Sequence, residues 1–323
     1  MQTRSFGRLG WPVSEIGYGM WGLAGWTGSD EEEVRQALQR AVELGINFFD
    51  TAWAYGEGKS ERMLGELVRA NPDKKLWTAS KIPAKNFKWP ARAEYTLDET
   101  YPPDHIRRYT EWSLENLGLA SLDLMQFHVW HDNWAQDERW QREVQKLREE
   151  GLVRAWGISI NRWEPGNAIE ALKTGLIDAV QVIYNLFDQN PEDELLPFCQ
   201  EHGIAVIARV PFDEGSLTGM LTPDTTFPEG DWRSRYFTKE NLIPTLERVE
   251  RVKADLPQGM TLPELALRFI LQNPTVSTVI PGMRRVRHVE ANVAVSDGKR
   301  LPDELMQRLK AHRWVRQPTP WSD

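Results

Sequence analysis

The chain predicts a closed (β/α)8 barrel with a short N-terminal β-hairpin, and three observations carry that expectation. Short apolar runs alternate with amphipathic segments in an unbroken series of eight strand–helix units. Glycines stand where helices should stop, at Gly45, Gly118, Gly151, Gly175 and Gly203, each followed within a few residues by the next apolar run. No linker rich in Pro, Gly or Ser divides the 323 residues, so 1–323 reads as a single barrel. A doubly wound open sheet has the same βαβα order, but the count of eight favours closure.

Taken in order, FGRLGWPVSEIG reads as the hairpin, with Arg8-Leu9-Gly10 near its turn, placed to cap the barrel bottom. Strands are expected at 14–19, 47–50, 76–81, 123–128, 153–159, 179–184, 205–210 and 277–281. Helical periodicity lies at 30–45, 59–71, 103–118, 138–150, 163–174, 192–203, 239–255 with 261–272, and 285–295. Ser29 with Glu32 forms a capping-box pattern, and Pro263 opens the helix beginning near Thr261. Residues 213–238 form one long irregular segment, expected to serve cofactor or substrate. Residues 313–323 read as an irregular tail.

Composition narrows the function classes. A net charge of -8 argues against nucleic acid as a partner. Cys199 is the single cysteine, which excludes an internal disulfide. No apolar run has the length of a signal peptide or a membrane span, so a cytoplasmic protein is the expectation. Oligomeric state is not legible. Of fifteen tryptophans, Trp21, Trp53 and Trp130 follow predicted strands and are expected at the barrel mouth.

Two motifs invite over-reading. Gly17-Tyr-Gly19-Met-Trp-Gly22 matches GxGxxG, yet the next helix waits until about Ser29, too far for a dinucleotide turn. It reads instead as a close-approach glycine turn beneath a ligand. His128, His131 and Asp132 lack the further ligands a zinc site needs, so no metal is expected.

Asp50, Tyr55, Lys81 and His128 each stand at or just past the C-terminal end of a predicted strand, in INFFD, TAWAY, KLWTASK and LDLMQFH. In a parallel barrel those ends open on one face, where catalysis occurs. An acid, a phenol, an amine and an imidazole together suit proton transfer coupled to hydride transfer. Reducing a carbonyl generates an alkoxide, and Tyr55 is placed to protonate it. Lys81 is expected to lower the phenol's pKa, with Asp50 holding the ammonium charged and oriented. His128 is expected to donate to the carbonyl oxygen or orient the substrate.

DTAWAYGEGKSERMLGE, TASK, LDLMQFHVWH, WGISIN, VQVIYNLFD, SLTG and VIPGMRRVRHVEAN, in this order, resemble the aldo-keto reductase superfamily over essentially the whole chain. The resemblance implies a tetrad of Asp50, Tyr55, Lys81 and His128. It also implies NADP(H) bound without a Rossmann domain, and reduction of small-molecule aldehydes or ketones. Gly19, Met20 and Trp21 are implied beside the cofactor. Ser159 and Gln181 match positions holding the nicotinamide carboxamide; Ile160 stands where relatives often show Asn, and Asn161 follows it. Arg209 occupies the place of a ring-stacking Tyr. It either stacks, favouring the neutral reduced cofactor, or pairs with Asp213 or Glu214 as scaffold. Pro211, Phe212, Gly215, Ser216, Leu217 and Gly219 resemble the segment over the pyrophosphate. Gly282, Met283, Arg284, His288 and Asn292 match contacts to the adenosine 2′-phosphate and adenine, with Arg284 as the discriminator of NADP from NAD. Trp21, Trp53, Val129 and Trp130, with Trp232 from the long loop, would wall the substrate cavity. Aromatic walls suit apolar and sugar-like substrates alike. The resemblance leaves two rivals open: an oxidative sugar or polyol dehydrogenase, and a cofactor-sensing regulatory subunit.

Overall fold

In the computed structural model, which describes residues 1–23 and 30–316, an antiparallel hairpin precedes a parallel eight-stranded barrel. The hairpin is β1 (Thr3–Phe6) and β2 (Trp11–Ser14). The barrel strands are β3 (Tyr18–Gly19), β4 (Phe48–Asp50), β5 (Trp77–Pro83), β6 (Leu122–His128), β7 (Val153–Ser159), β8 (Ala179–Ile183), β9 (Ala205–Arg209) and β10 (Val276–Val279). Neighbours pair in sequence order, and bridges Ile16–Val279 and Gly19–Gly282 join the first strand to the last. The expected (β/α)8 barrel with its hairpin is the observed fold. The predicted strand 14–19 is split, however: its start belongs to the hairpin and only its end enters the barrel.

That seam explains the GxGxxG match. A Cβ on Gly17 would stand 2.8 Å from Thr278 Oγ1, and one on Gly19 would stand 2.7 Å from the Ile280 carbonyl oxygen. These glycines let β3 approach β10 closely enough to close the barrel.

The hairpin seals the N-terminal ends of the strands. Trp11 stacks on Trp77 at 4.5 Å, and Phe6 packs against Phe48 at 5.4 Å. Above them Ala79, Ala155, Ala179 and Ala205 alternate with Leu124 and Ile207, so small and large side chains interdigitate in the barrel interior. With the bottom plugged by the hairpin, the C-terminal mouth is the end of the barrel left open to a ligand.

Amphipathic helices bury one face each against the strands. Helix Glu31–Glu43 buries Val34, Ala37, Leu38, Ala41 and Val42, the 3.6-residue stripe. Ser29, its expected cap, lies outside the described residues; Asp30 accepts from the Glu33 N–H instead. Thr261 caps helix Leu262–Leu271 by accepting from Glu264 N–H. The five expected stop glycines all adopt the left-handed conformation. Among the described residues three helices go beyond the expected set, Leu97–Thr100, Arg233–Tyr236 and Asp303–Lys310. Among the described residues no helix is long and apolar enough to cross a membrane.

The segment 213–238 is more ordered than expected. It opens with a 3-10 turn, Asp213–Thr218, and ends with the short helix Arg233–Tyr236. Tyr236, Phe237 and Leu242 form their own apolar cluster with Trp163, Phe227 and Trp232. Of the expected irregular tail 313–323, residues 313–316 are described, and Arg316 is buried.

Candidate active site

The mouth of the barrel is floored by a fully connected polar layer. Lys81 lies within β5, two residues before its end, and is wholly buried. Its Nζ donates to Asp50 Oδ2 at 2.6 Å, to the Thr51 carbonyl at 2.7 Å and to Tyr55 Oη at 3.2 Å. The other carboxylate oxygen of Asp50 accepts from Gln126 Nε2 at 3.0 Å and from Gln181 Nε2 at 2.8 Å. Asp50 ends β4, and Tyr55 stands in the turn that follows. His128 ends β6 with its ring 6.1 Å from that of Tyr55, edge on. The four expected residues therefore converge, from two strand ends, the interior of β5 and one loop.

The Tyr55 loop is held from behind. Thr51 Oγ1 donates to Ser60 Oγ at 2.6 Å, and the Gly58 N–H donates to the Trp53 carbonyl at 2.7 Å. Ser80, on the opposite face of β5 from Lys81, donates at 2.5 Å to the buried Glu61, which also accepts from Asn116 at 2.8 Å. Helix Lys59–Ala70 thus locks both the lysine strand and the tyrosine loop.

Electrostatics differ from expectation at one point. Burial pushes the Tyr55 phenol above its ordinary pKa, and the lowering by Lys81 offsets only part of that. Desolvation also opposes charge on Lys81, but Asp50 and Tyr55 outweigh it and hold the ammonium above its usual value. For His128, burial and then the Lys81 and Arg209 charges push the imidazole well below its ordinary pKa. Its Nδ1 is buried without a hydrogen-bond partner among the described residues. The site at neutral pH is a protonated phenol, an ammonium–carboxylate pair and a neutral imidazole.

The aromatic wall is rearranged. Trp21 is 42% exposed and meets Trp232 edge on at 6.2 Å. Trp53 packs against Tyr109 at 4.8 Å and Trp112 at 6.1 Å. Trp130, expected in the wall, is fully buried among Phe127, Trp134 and Trp140, and its indole N–H donates to Asp132 at 3.0 Å. Val129 is buried beside it, its carbonyl accepting from Tyr101 Oη at 2.6 Å. Sequence reasoning missed Trp89, whose ring stands 5.8 Å from His128, and Phe87, 6.3 Å from Trp53. Phe87 is 49% and Trp89 40% exposed, so both present ring surface beside the site. Their signal was NFKWP, an aromatic-rich loop directly after the lysine strand.

Other expected positions fall as follows. Gly19 lies at the barrel seam and Met20 is buried, its N–H donating to the Asp50 carbonyl at 2.9 Å. Ser159 ends β7 in register with His128 and Gln181. Asn161 is committed elsewhere: it accepts from the Ala91 N–H at 2.9 Å and donates to the Ala91 carbonyl and to Glu164, each at 2.7 Å. It pins the Trp89 loop. Arg209 pairs with neither Asp213 nor Glu214, because Arg316 takes the first at 2.6 Å and Arg162 the second at 2.5 Å. Beyond β9, Val210, Asp213 and Glu214 hold positive φ angles of 56°, 45° and 56°, local strain of the kind stored at functional loops. Pro211 is buried, Phe212 packs on the core, and Gly215 and Gly219 are left-handed. Asp213 Oδ2 accepts from the buried Ser216 Oγ at 2.6 Å, beside the buried Leu217.

Past β10, Gly282 and the buried Met283 lead into Arg284, Arg285 and Arg287 at the start of helix Val286–Ala294. Burial and then Arg233 and Arg285 lower the pKa of Arg284, and burial and then Arg287, Arg285 and Arg284 lower that of His288. Asn292 is buried two turns on. Such a crowd of cations at a helix N-terminus fits a phosphate. His131 and Asp132 are structural: His131 Nδ1 accepts from the Asn133 N–H, and Asp132 caps helix Ile169–Lys173. Among the described residues no group of three or more His, Cys, Asp or Glu is placed to hold a metal.

Comparison with known proteins agrees with this geometry. Residues 15–313 match the model of the aldo/keto reductase family. The chain is 30% identical to the Schizosaccharomyces pombe aldo-keto reductase yakc, named for NADP(+), over 92% of this chain and 88% of that one. It is 28% identical to the NADH-specific methylglyoxal reductase of Escherichia coli K12, over 87% and 89%. Among solved structures it superposes on the holo form of aldo-keto reductase AKR11C1 from Bacillus halodurans with a TM-score of 0.79, at 27% identity and full coverage of both chains. The chain therefore belongs to the aldo/keto reductase family, oxidoreductases that act on carbonyl groups with nicotinamide cofactors.

Proposed function

We propose that the chain reduces aldehyde or ketone carbonyls, including sugar-like ones, to alcohols with NADPH, and that Tyr55 is the proton donor. One observation carries this reading: a buried Lys81 that touches Asp50 and Tyr55 at once. When bound, the cofactor supplies a hydride to the carbonyl carbon. Tyr55 then delivers its phenolic proton to the carbonyl oxygen, and Lys81 stabilises the phenolate left behind. Asp50, fixed by two glutamine amides, keeps the Lys81 ammonium aimed at Tyr55. A neutral His128 donates a hydrogen bond to the same oxygen without competing for its proton. The raised phenol pKa keeps Tyr55 protonated at neutral pH, the form a proton donor needs.

Ser159 and Gln181 would hold the nicotinamide end of the cofactor, the 211–219 segment its diphosphate, and Arg284, His288 and Asn292 its adenosine end. The arginine cluster supports NADPH over NADH. The test is loss of NADPH absorbance with a panel of aldehydes, ketones and sugars, beside Tyr55→Phe. The variant should keep NADPH binding and lose about 10²- to 10⁴-fold in turnover. Turnover preserved in the variant rules Tyr55 out as the donor.

A further inference from the structure

The C-terminal end of the chain returns to the barrel mouth. After helix Asp303–Lys310, residues 312–316 are tied to the loops that follow β8 and β9 and to the helix Lys239–Ala254. His312 Nε2 lies 2.8 Å from Asp255 Oδ2, and Arg313 donates to Asp193 at 2.6 Å. The Trp314 N–H donates to the Phe187 carbonyl at 2.8 Å. Its ring carries the guanidinium groups of Arg248 and Arg316, at 4.2 and 4.4 Å from the centroid.

Arg316 is the deepest of these anchors, with its side chain 1% exposed. Nη2 donates to Asp213 Oδ1 at 2.6 Å, Nη1 donates to Tyr236 Oη, and Nε stands 3.4 Å from Asp188 Oδ1. Burial opposes the charge, but Asp188 and Asp213 outweigh it and raise the guanidinium pKa. Asp213 also accepts from Ser216 Oγ at 2.6 Å. Asp188 accepts from Asn185, which donates to the Val210 carbonyl as well, at 3.0 Å. One guanidinium thus joins the loop after β8 to the turn after β9 at two points.

That turn needs holding. Asp213, Glu214 and Gly215 follow one another at φ angles of 45°, 56° and 105°, and Val210 stands at 56°. Left-handed backbone at non-glycine residues persists only where the surroundings over-determine it. Arg162 fixes Glu214, and Arg316 fixes Asp213. Without Arg316, the buried Asp213 carboxylate would lose the cation that bonds it, in a segment expected to receive an anion.

We propose that Arg316 is a positioning residue for the nicotinamide cofactor: by clamping Asp213 it holds the Asp213–Thr218 turn in the shape that receives the diphosphate, so the C-terminal arm sets cofactor affinity. This role rests on the cofactor reading above and gives Arg316 no contact with the reacting atoms, so turnover of the loaded enzyme should not depend on it.

NADPH and NADH binding is followed by quenching of tryptophan fluorescence in the native chain, Arg316→Met and Arg316→Lys, with urea midpoints measured alongside. Arg316→Met should weaken both cofactors by the same factor, on the order of 30-fold, because both carry the diphosphate. At saturating NADPH its kcat and carbonyl KM should stay within about twofold of native. Arg316→Lys keeps a charge for the two carboxylates but loses the planar fork, so it should fold and lose only about fivefold. A lower urea midpoint with both dissociation constants within about twofold of native would make Arg316 a stability residue alone and overturn the proposal. Weakening of NADPH with NADH unchanged would overturn it too, by placing the effect at the 2′-phosphate. Should Arg316→Met not fold, Arg316→Lys decides on the same criteria: weakening of both cofactors supports the clamp, and values within about twofold of native overturn it. A native protein that binds neither nucleotide refutes the cofactor reading and the clamp with it, a result distinct from native binding that the variants leave unchanged.

Discussion

Removing the Lys81 ammonium should destabilise the barrel more than any surface ion pair in the chain. Lys81→Met leaves Asp50, 3% exposed at its side chain, without the partner of Oδ2. Two amides still hold Oδ1, at 3.0 and 2.8 Å, so the stranded charge is partly compensated. The expected cost is therefore near the low end of the range for breaking a buried pair, about 3 kcal/mol. Asp50→Asn strands the ammonium with only Thr51 and Tyr55 and should cost about as much. The double variant buries no net charge, so its cost should fall short of the sum by about 2 kcal/mol. Urea midpoints at neutral pH with unchanged slopes measure all three. Additivity within about 0.5 kcal/mol would refute the coupling. The pH dependence follows from the raised Lys81 pKa. A base whose pKa is higher when folded stabilises fully below its unfolded value of 10.5, and that contribution disappears only as pH climbs through the higher folded value. The cost of Lys81→Met should thus be flat through neutral pH and shrink only in strong alkali.

Three further outcomes follow from the same charges. His128, depressed by burial, should stay neutral as pH falls below its ordinary 6.5, so kcat/KM for reduction should show no acid limb there. A limb near 6.5 that vanishes in His128→Gln would refute this, whereas stability should decline below 6.5 as the unfolded chain gains a proton the native one refuses. Arg284→Ala should weaken NADPH on the order of tenfold and leave NADH nearly unchanged, as read by fluorescence titration. The positive charge of Arg209 should make the neutral reduced nicotinamide bind more tightly than the cationic oxidised one, and equal Kd values for NADPH and NADP⁺ would count against it.

The barrel was legible because its period is simple: an apolar run, a helix and a stop glycine, repeated until closure. Asp50, Tyr55, Lys81 and His128 were legible for a related reason, since each interrupts an apolar run at its C-terminal end, where a core residue would otherwise stand. Trp130 was misplaced by the same rule. Proximity to a strand end does not say which way a side chain turns, and this one turns inward to join Phe127 and Trp140. Trp89 was missed for the converse reason: its loop has no period, and its position depends on Asn161 clamping Ala91 from a different strand end.

The glutamines and Arg316 mark the two kinds of information that spacing leaves out. Gln126 stands two residues before His128, hence on the same face of β6, so its place under the mouth follows from the strand period. Its partner does not, because the bond to Asp50 spans 76 residues and depends on closure of the barrel. Arg316 is a stronger case. In sequence it belongs to a charged, proline-flanked tail, yet its guanidinium is buried against Asp213 and Tyr236, with Asp188 at 3.4 Å. It thereby ties the end of the chain to the turn over the mouth. An arginine with two carboxylates inverts the situation at Arg209, which among the described residues bonds the Ile160 carbonyl and no carboxylate. Arg316 is thereby scaffold, fixed by carboxylates that stand 103 or more residues away in the chain and by no local pattern.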